Sequence, residues 1–358
     1  MIKILLMPAK GVGDYHITLL ESALLNENIN VSFPDNIKFA RVLPIFRRIK
    51  KLRVNILHTY WIHGIAGFVA KNVIFSCIKF LLFCIDIYLV KYLLKTKIVW
   101  TVNNLYSHEF IYPKFEKFGR TFFAKKVDAI VCHCFKAKDL IQREYRASPE
   151  KIYVIPMGNY TKYYKNEILK DQARKILNIK SEDFIFLHFG RVKKYKGIDS
   201  LIKSFNELER NDKIKLLIVG SLSNEVYGQK LVKLANQNKN IIFKFEYIPD
   251  DEIQIYMNAS DIVVTPYRNI LNSGEIIVAI GFSKPIVAPR LGCIMEMIDE
   301  EGSFLYNPKV KQGLKDALMK SLNSRNTLSN MGFYNYNLSN KLDWEKVGKL
   351  TKQVYQNL

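Results

Sequence analysis

The sequence predicts an α/β protein with two parallel sheets, because strand-like apolar runs alternate with helix-length segments from end to end. One series of runs closes at residues 152–156 (IYVIP), and a second series opens at residues 184–190 (FIFLHFG). Residues 160–182 between them are charged and polar, which is typical of an interdomain linker. At 358 residues the chain is also longer than one hydrophobic core usually supports. We therefore expect two Rossmann-like domains facing a central cleft, with ligands at the carboxyl ends of the strands.

Each half of the chain repeats the order strand, turn, helix. In the first half, the predicted strands are residues 2–9, 55–62, 97–104, 129–134 and 152–156. In the second half, they are residues 184–190, 215–221, 241–247, 262–267 and 285–289. Helix-like segments separate the strands, as the crossovers of a parallel sheet require.

The charge of the chain is positive and uneven. The formal net charge is +21, and residues 1–165 alone hold 26 Lys and Arg against 11 Asp and Glu. This N-terminal half is expected to face an anionic partner: nucleic acid, an acidic membrane surface or a phosphorylated lipid. Because 49% of the residues are hydrophobic, an intrinsically disordered chain is excluded.

A predicted phosphate-binding loop follows the first strand of the second half, in residues 188–197 (HFGRVKKYKG). Gly190 allows a close turn of the backbone. Arg191 offers a planar guanidinium group that can form two hydrogen bonds with a phosphate, and Lys196 adds an ammonium group just before a helix begins. The alternative is a solvated basic loop. Because this loop leaves the functional end of a strand, we favour a diphosphate site.

A second predicted loop lies in residues 272–281 (NSGEIIVAIG), where a polar loop runs into an apolar helix. Ser273 and Gly274 can offer backbone N–H groups to the same phosphates. Glu275 is the nearest carboxylate for a ribose or sugar hydroxyl. The alternative is an ordinary connection between a strand and a helix.

Taken together, these segments resemble the GT-B glycosyltransferases, specifically the family-4-like bacterial group that acts on exopolysaccharides and lipid-linked sugars. The resemblance rests on residues 155–159, 190–197, 218–221, 248–267, 272–288 and 342–356. It implies an acceptor-binding, membrane-facing domain (1–165), a donor-binding domain (166–340) and a terminal helix (341–358) that packs back on the first domain. It implies that Arg191 and Lys196 contact the diphosphate of a nucleoside diphosphate sugar. Together with the two loops, the predicted donor-binding residues are Gly190, Arg191, Lys196, Gly220, Tyr267, Ser273, Gly274 and Glu275.

One departure from the family bears on mechanism. Many retaining members carry two glutamates at the positions that here hold Ile270 and Val278. The Ser-Gly pattern instead looks like a subset of bacterial transferases that includes inverting enzymes. The chemistry of the retaining members therefore does not carry over, and inversion is slightly favoured.

An inverting transfer needs a general base that deprotonates the acceptor hydroxyl. Candidates lie at strand ends of the first half, and the sequence does not rank them firmly. As catalytic candidates we take Asp14, His63, His108 and Glu109. We place Gly13, His16 and Asn103 on the acceptor side.

Residues 64–95 form a long apolar segment, in which Lys71, Lys79 and Asp86 predict a helix with a narrow polar stripe. Basic and aromatic residues interleave in residues 36–54 and 114–123. No run of about 18 uncharged apolar residues is present. Two interpretations stay open: a wholly buried core helix beside solvated basic faces, or the interface of an anionic membrane.

The sequence therefore predicts a glycosyltransferase that moves a sugar from a UDP- or GDP-sugar to a lipid-linked or growing polysaccharide acceptor. It is expected to be peripheral on the cytoplasmic face of the membrane and to need no cofactor. No metal is expected, because Arg191 and Lys196 can neutralise the leaving diphosphate and no Asp-x-Asp motif is present. Two alternatives are a non-catalytic GT-B partner protein that binds a sugar nucleotide and, with less support, a nucleic-acid-binding protein.

Overall fold

The structure is a computed structural model, which describes residues 1–7, 15–34, 43–68, 70, 72–107, 111–208 and 211–358. The chain divides into two compact units. Unit 1 comprises residues 1–158 and 343–358, and unit 2 comprises residues 159–342. The sequence put the corresponding boundaries after residues 165 and 340.

In the described part of the chain, the strands form two parallel sheets, ordered β2-β1-β3-β4-β5-β6 in unit 1 and β12-β11-β10-β7-β8-β9 in unit 2. The strands of unit 1 are β1 (Lys3–Met7), β2 (Asn30–Ser32), β3 (Ile56–Thr59), β4 (Lys97–Thr101), β5 (Ala129–Cys132) and β6 (Ile152–Val154). Those of unit 2 are β7 (Phe184–Phe189), β8 (Ile214–Val219), β9 (Ile241–Lys244), β10 (Ile262–Val264), β11 (Ile286–Pro289) and β12 (Ser303–Tyr306). Both units are therefore α/β folds of the Rossmann-like kind.

Helices connect and cover the strands. Their bounds are α1 (Tyr15–Asn26), α2 (Pro44–Leu52), α3 (Val73–Tyr88), α4 (Pro113–Lys126), α5 (Phe135–Tyr145), α6 (Lys170–Ile176), α7 (Ile198–Asn206), α8 (Glu225–Ala235), α9 (Ile253–Ala259), α10 (Gly274–Gly281), α11 (Ile294–Met297), α12 (Gly313–Asn323), α13 (Leu328–Asn340) and α14 (Trp344–Gln356).

The core of unit 1 lies between its sheet and its helices. Strands β1, β3 and β4 supply Ile4, Ile56 and Val99, which are buried together. The terminal helix α14 packs on α1 in this unit, and it comes so close that a Cβ at Gly348 would lie 2.7 Å from the carbonyl oxygen of Ala23. The C-terminal segment therefore belongs to unit 1, although it follows unit 2 in the chain.

The strand order of unit 2 reverses between β7 and β10. Counted from β7, the order is the 3-2-1-4-5-6 arrangement of dinucleotide-binding sheets, whose ligand crevice lies outside the strand ends at the reversal point. The loops that leave β7 and β10 begin at Gly190 and Thr265. The predicted linker is partly ordered, because α6 lies within it and Arg174 of that helix binds Asp261 at 2.8 Å.

The segment 64–95 is not a wholly buried core helix, because Ile74 and Leu81 are more than 60% exposed, whereas its interpretation as a membrane interface stays a prediction. The helix begins at Val73 and continues as a π-helix over Leu89–Leu93. Asp86 belongs to the buried face and not to a solvated polar stripe. Within the described residues, the stretch Val73–Leu93 is long and apolar enough to cross a membrane by length and composition alone, and one third of it is buried.

Candidate active site

Two glycines shape the loop that leaves β7. Gly190 has φ +112°, and a Cβ there would collide with the Glu275 carboxylate and lie 3.0 Å from Lys196 Nζ. Gly220, at the end of β8, has φ +140°, and a Cβ there would collide with the carbonyl oxygen of Gly190. Positive φ and a close neighbour both require glycine at these positions. The backbone can thereby approach whatever binds beside Lys196.

Four side chains of unit 2 form one chain of hydrogen bonds at this strand edge. Lys196, which is 4% exposed, forms an ion pair with Glu275. The Tyr267 hydroxyl donates to the second carboxylate oxygen of Glu275 at 2.6 Å and lies 2.8 Å from Ser273 Oγ. Because the Tyr267 hydrogen is used on Glu275, Ser273 must donate to Tyr267. Burial, followed by the charge of Glu275, raises the pKa of Tyr267 well above 10, which keeps this donor protonated.

The start of α10 adds backbone donors to the same place. Ser273 is the N-cap, and its Oγ accepts the N–H of Ile276 at 3.2 Å. The N–H groups of the first turn have no acceptor inside the helix and carry the positive end of its dipole. A Cβ at Gly274 would meet only the Tyr160 hydroxyl, at 3.8 Å, so the space beside this helix start is open.

Chemically, this arrangement suits an anion. Arg191 is exposed beside the glycine turn, and Tyr195 stacks on Tyr267 with ring centroids 6.3 Å apart. Glu275 forms an ion pair with Lys196 in the structure, and its predicted role towards a ribose or sugar hydroxyl stays a prediction. An incoming diphosphate would compete with this carboxylate for the ammonium group.

Sequence reasoning missed two buried polar groups at the ends of β7 and β10. His188 Nδ1 donates to the Val264 carbonyl at 2.9 Å, while its Nε2 has no partner among the described residues. Thr265 Oγ1 is likewise buried without a partner there. Burial lowers the pKa of His188 to about 4, so the ring is neutral at pH 7. The signal was a histidine near the end of the otherwise apolar strand β7 and a threonine directly after the apolar strand β10.

A cluster of three histidines lies in unit 1: His58 within β3, His16 in the first turn of α1 and His133 directly after β5. His58 is buried between the Tyr355 hydroxyl at 2.5 Å and Thr101 Oγ1 at 2.7 Å. The His16 and His133 rings lie edge to face, with centroids 5.8 Å apart. Burial is the main cause that lowers the pKa of His16 and His58 to about 3 and that of His133 to about 4.

His133 fixes the orientation of Asn103. Its Nδ1 must donate to the Ile155 carbonyl at 2.9 Å, since a carbonyl only accepts. The neutral ring then has an accepting Nε2, which lies 2.9 Å from the atom assigned as Asn103 Oδ1. We therefore assign the Asn103 amide the opposite way, with its NH₂ group on His133. His133 was missed from the sequence because two cysteines flank it in an apolar run.

The loop over residues 103–107 is anchored at each of its residues. Besides the His133–Asn103 contact, Arg120 donates to the Asn104 carbonyl at 3.4 Å and the Tyr145 hydroxyl donates to the Leu105 carbonyl. The Tyr106 hydroxyl donates to Glu144 at 2.6 Å. Ser107 donates its N–H and hydroxyl to Glu116, both at 2.7 Å. This loop leads directly to the predicted catalytic residues His108 and Glu109.

The predicted catalytic set is only partly described. Gly13, Asp14, His108 and Glu109 lie outside the described residues, so their roles stay predictions. His63 lies in the turn after β3 and is partly exposed. His16 and Asn103, which were predicted on the acceptor side, both approach His133. Because the pKa of His16 is lowered to about 3, its ring is a weak base at pH 7. The assignment of the base therefore stays with Asp14, His63, His108 and Glu109.

Over the described ranges, no group of three or more His, Cys, Asp or Glu side chains is placed to hold a metal ion. Metal independence stays a prediction.

Comparison with known proteins agrees with the two units. The family model for glycosyl transferases group 1 matches residues 170–338, and the model for glycosyltransferase family 4 matches residues 26–161. The two models together match most of the chain, and each unit has a doubly wound parallel sheet, so the chain belongs by class to the GT-B glycosyltransferases. Within that class it belongs to the family-4-like type.

Individual relatives are distant. The chain is 23% identical over 174 residues to the GDP-mannose:glycolipid 4-beta-D-mannosyltransferase of Xanthomonas campestris pv. campestris, covering 47% of each chain. It is 25% identical over 231 residues to the D-inositol 3-phosphate glycosyltransferase of Corynebacterium aurimucosum, covering 62% of this chain and 54% of that one. The chain thus spans about half the length of the curated relatives it matches.

Among solved structures, the likeness is one of fold. Sucrose-phosphate synthase from Thermosynechococcus elongatus matches with a TM-score of 0.78 at 16% identity, covering 100% of this chain and 99% of that one. HepE from Anabaena, in complex with UDP and glucose, matches with a TM-score of 0.75 at 15% identity over 100% of both chains.

Proposed function

We propose that the protein transfers a sugar from a nucleoside diphosphate sugar, UDP- or GDP-linked, to a lipid-linked or growing polysaccharide acceptor. The reaction takes place at the cytoplasmic face of the membrane, with the protein bound peripherally. It requires no organic cofactor and no metal, because side chains neutralise the leaving diphosphate.

The observation that carries the proposal is the ion pair of Lys196 and Glu275 at the reversal point of the unit 2 sheet. A nearly buried ammonium group beside a helix start and a glycine turn is suited to a diphosphate, which offers more negative charge than one carboxylate. When the phosphates bind Lys196, Glu275 is released to accept hydrogen bonds from a ribose or sugar hydroxyl. Arg191 adds the second cation that stabilises the charge developing on the leaving group.

The relatives support the donor and acceptor classes. The Xanthomonas relative is named for GDP-mannose and a glycolipid, and the HepE structure contains UDP and glucose. A nucleotide sugar and a lipid-linked sugar are therefore the first substrates to test. The excess of Lys and Arg in residues 1–165 supports action next to an anionic surface.

Inversion is the stereochemical course that we favour. Ile270 and Val278 stand where the retaining members carry acids. The Xanthomonas relative is named as a β-mannosyl transferase, and a β product from an α-linked donor requires inversion. The base would then be one of Asp14, His63, His108 and Glu109, acting on the acceptor hydroxyl.

The test is nucleotide binding measured by calorimetry and thermal shift, with UDP, GDP and their sugars. Lys196→Met removes a charge-assisted contact of about 1.5–3 kcal/mol, so affinity should fall by roughly tenfold to a hundredfold. Arg191→Ala should act in the same direction. Lys230, an exposed lysine on α8, provides the matched control, and Lys230→Met should leave affinity unchanged.

Each alternative has its own outcome. Unchanged nucleotide affinity in Lys196→Met and Arg191→Ala would refute the donor site. Nucleotide binding without transfer or hydrolysis of any nucleotide sugar would support the non-catalytic partner protein. Binding of single-stranded DNA with no response to any nucleotide would support the nucleic-acid-binding alternative.

A further inference from the structure

Helix α3 presents a large apolar face to solvent. Ile74, Ile78, Leu81 and Ile85 recur at the spacing of one helix face and are 41–67% exposed. The same face continues through the π-helix that follows α3. Its other large exposed side chains are Val73, Phe75, Tyr88, Tyr92 and Leu93. A contiguous apolar face of this length marks an interaction surface.

The opposite face of α3 is fixed to unit 1. Ser76, Phe80, Phe83 and Ile87 are buried along it. Asp86, also buried, accepts the N–H of Ile45 at 3.0 Å and that of Phe46 at 2.6 Å, so it caps the start of α2. A helix that crosses a bilayer would expose Asp86 to hydrocarbon, at high cost. The docked arrangement therefore allows only the outer face to meet lipid.

The charged groups around the apolar face are cationic. Lys79 Nζ lies 4.8 Å from the Phe75 ring centroid, and Lys126 Nζ lies 5.9 Å from that of Tyr92. The neighbouring helix α2 adds the exposed Arg47, Lys50 and Lys51. The acids in this part of the described structure are engaged: Asp86 caps α2, and Asp128 binds Lys91 at 2.9 Å. An apolar face with a basic rim matches an anionic leaflet, whereas a second copy would bring the same positive charge.

A groove beside the face fits the same occupant. It measures about 310 Å³ and lies between α3, its π-helical continuation and α4. Its walls are apolar and aromatic, with Tyr88, Tyr92 and Phe122 among them, and Lys126 stands at its edge. The acyl chain of a phospholipid can fill this groove while the phosphate of the same lipid contacts Lys126.

From these observations we propose that the outer face of α3, with the adjoining groove, is a membrane-docking surface that inserts in the plane of one leaflet and takes anionic phospholipids. The proposal rests on the proposed function only in choosing a bilayer as the partner. Nucleotide binding by unit 2 is measured separately, so the two can fail independently.

Vesicle flotation tests the surface. The wild-type chain should float with vesicles of phosphatidylcholine and phosphatidylglycerol, and several-fold less with phosphatidylcholine alone. The double variant Ile74→Gln, Leu81→Gln should lose about tenfold in binding for each side chain. Val226 and Val232 on α8 are also exposed, at 73% and 51%, and Val226→Gln, Val232→Gln is the matched control that should float like wild type.

The flotation result decides in both directions. The proposal is overturned if the wild-type chain floats with neither kind of vesicle, or if the double variant floats as well as wild type. The double variant must keep the wild-type midpoint in a urea titration followed by tryptophan fluorescence, because all three tryptophans lie in unit 1 and report its folding. If the chain floats but no nucleotide binds, the proposed function fails and the docking surface stands.

A second measurement separates in-plane insertion from crossing. In a Cys77→Ser, Cys84→Ser background, one cysteine at a time is placed beyond either end of the apolar face, as Ala70→Cys or Lys95→Cys, at a partly exposed and an exposed position. The protein is bound to sealed vesicles and treated with a membrane-impermeant maleimide. Reaction at both positions supports in-plane docking. Protection of one end alone means that the segment crosses, which overturns the proposal.

Discussion

The buried carboxylate of Glu116 provides the sharpest test of how unit 1 positions its candidate catalytic loop. Its side chain is 0% exposed, and it forms an ion pair with Arg120 at 2.7 Å. It also accepts two hydrogen bonds from Ser107. Glu116→Gln keeps the volume of the side chain but removes the charge opposite a guanidinium that is 5% exposed.

The expected cost follows from leaving the Arg120 charge without its counter-ion. Breaking a buried ion pair from one side costs about 3–5 kcal/mol. Replacing both partners, as in Glu116→Gln with Arg120→Met, removes the unpaired charge and should cost less than the two single changes added together. In the double variant, the amide at position 116 keeps only one of the two oxygens that accept from Ser107, and the methionine side chain at position 120 no longer donates to the Asn104 carbonyl, so it should remain about 1–3 kcal/mol below wild type.

Tryptophan fluorescence in a urea titration measures this loss in unit 1 alone. The chain has 3 tryptophans, Trp61, Trp100 and Trp344, and all of them belong to unit 1. With a urea dependence of about 2 kcal/mol per molar, the midpoint of Glu116→Gln should fall by roughly 1.5–2.5 M. A loss below about 1 kcal/mol, or single-variant costs that simply add in the double variant, would refute the reasoning.

Gly197, Asp86 and the buried histidines each give a further measurable outcome. Gly197 has φ +72°, and a Cβ there would collide with the Pro266 carbonyl, so Gly197→Ala should cost more than about 2 kcal/mol in a urea titration followed by circular dichroism and should weaken nucleotide binding. Gly64→Ala, where a Cβ meets no atom of the described residues within 4 Å, should cost little. Asp86→Ala leaves the first N–H groups of α2 unpaired and should lower the stability of unit 1 by about 1–3 kcal/mol. A change below about 0.5 kcal/mol, the lower end for one hydrogen bond, would contradict the capping role. The pKa values of His58 and His188 are lowered from 6.5 to about 3 and about 4, so both take up a proton on unfolding; the stability they give is complete above pH 6.5 and lost as the pH falls towards 4. Each should add about 1.4 kcal/mol per pH unit to the slope near pH 5, and unfolding free energies that stay flat between pH 7 and pH 5 would show that the rings are charged in the folded protein.

The parts of this structure that the sequence predicts depend on local patterns. Apolar runs and crossover lengths are enough to predict both parallel sheets, and the strand-to-helix loops predict Gly190, Lys196 and Ser273 at the carboxyl edge of the second sheet. Each of these residues is recognisable from neighbours within one loop.

The parts that were missed depend on long-range contacts. Lys196 and Glu275 are 79 residues apart, and their ion pair exists only because β7 and β10 are neighbours in the folded sheet. Asp86 looked like part of a polar stripe because its partner, the start of α2, lies 41 residues earlier. His133 was hidden between two cysteines, and only the fold brings it to Asn103.

Glu275, the carboxylate in the predicted donor loop, bears on the stereochemistry of the transfer. Val278, at the position of the second acid of retaining members, is 8% exposed and lines a cavity with Tyr160 and Phe282. Glu275 precedes it by three residues on α10 and so lies on the same helix face, one turn closer to the glycine turn. A carboxylate bound to Lys196 and Tyr267 is a stabilised hydrogen-bond acceptor and a poor nucleophile. The position of Glu275 therefore favours donor binding as its role, which is consistent with the inverting course that we propose.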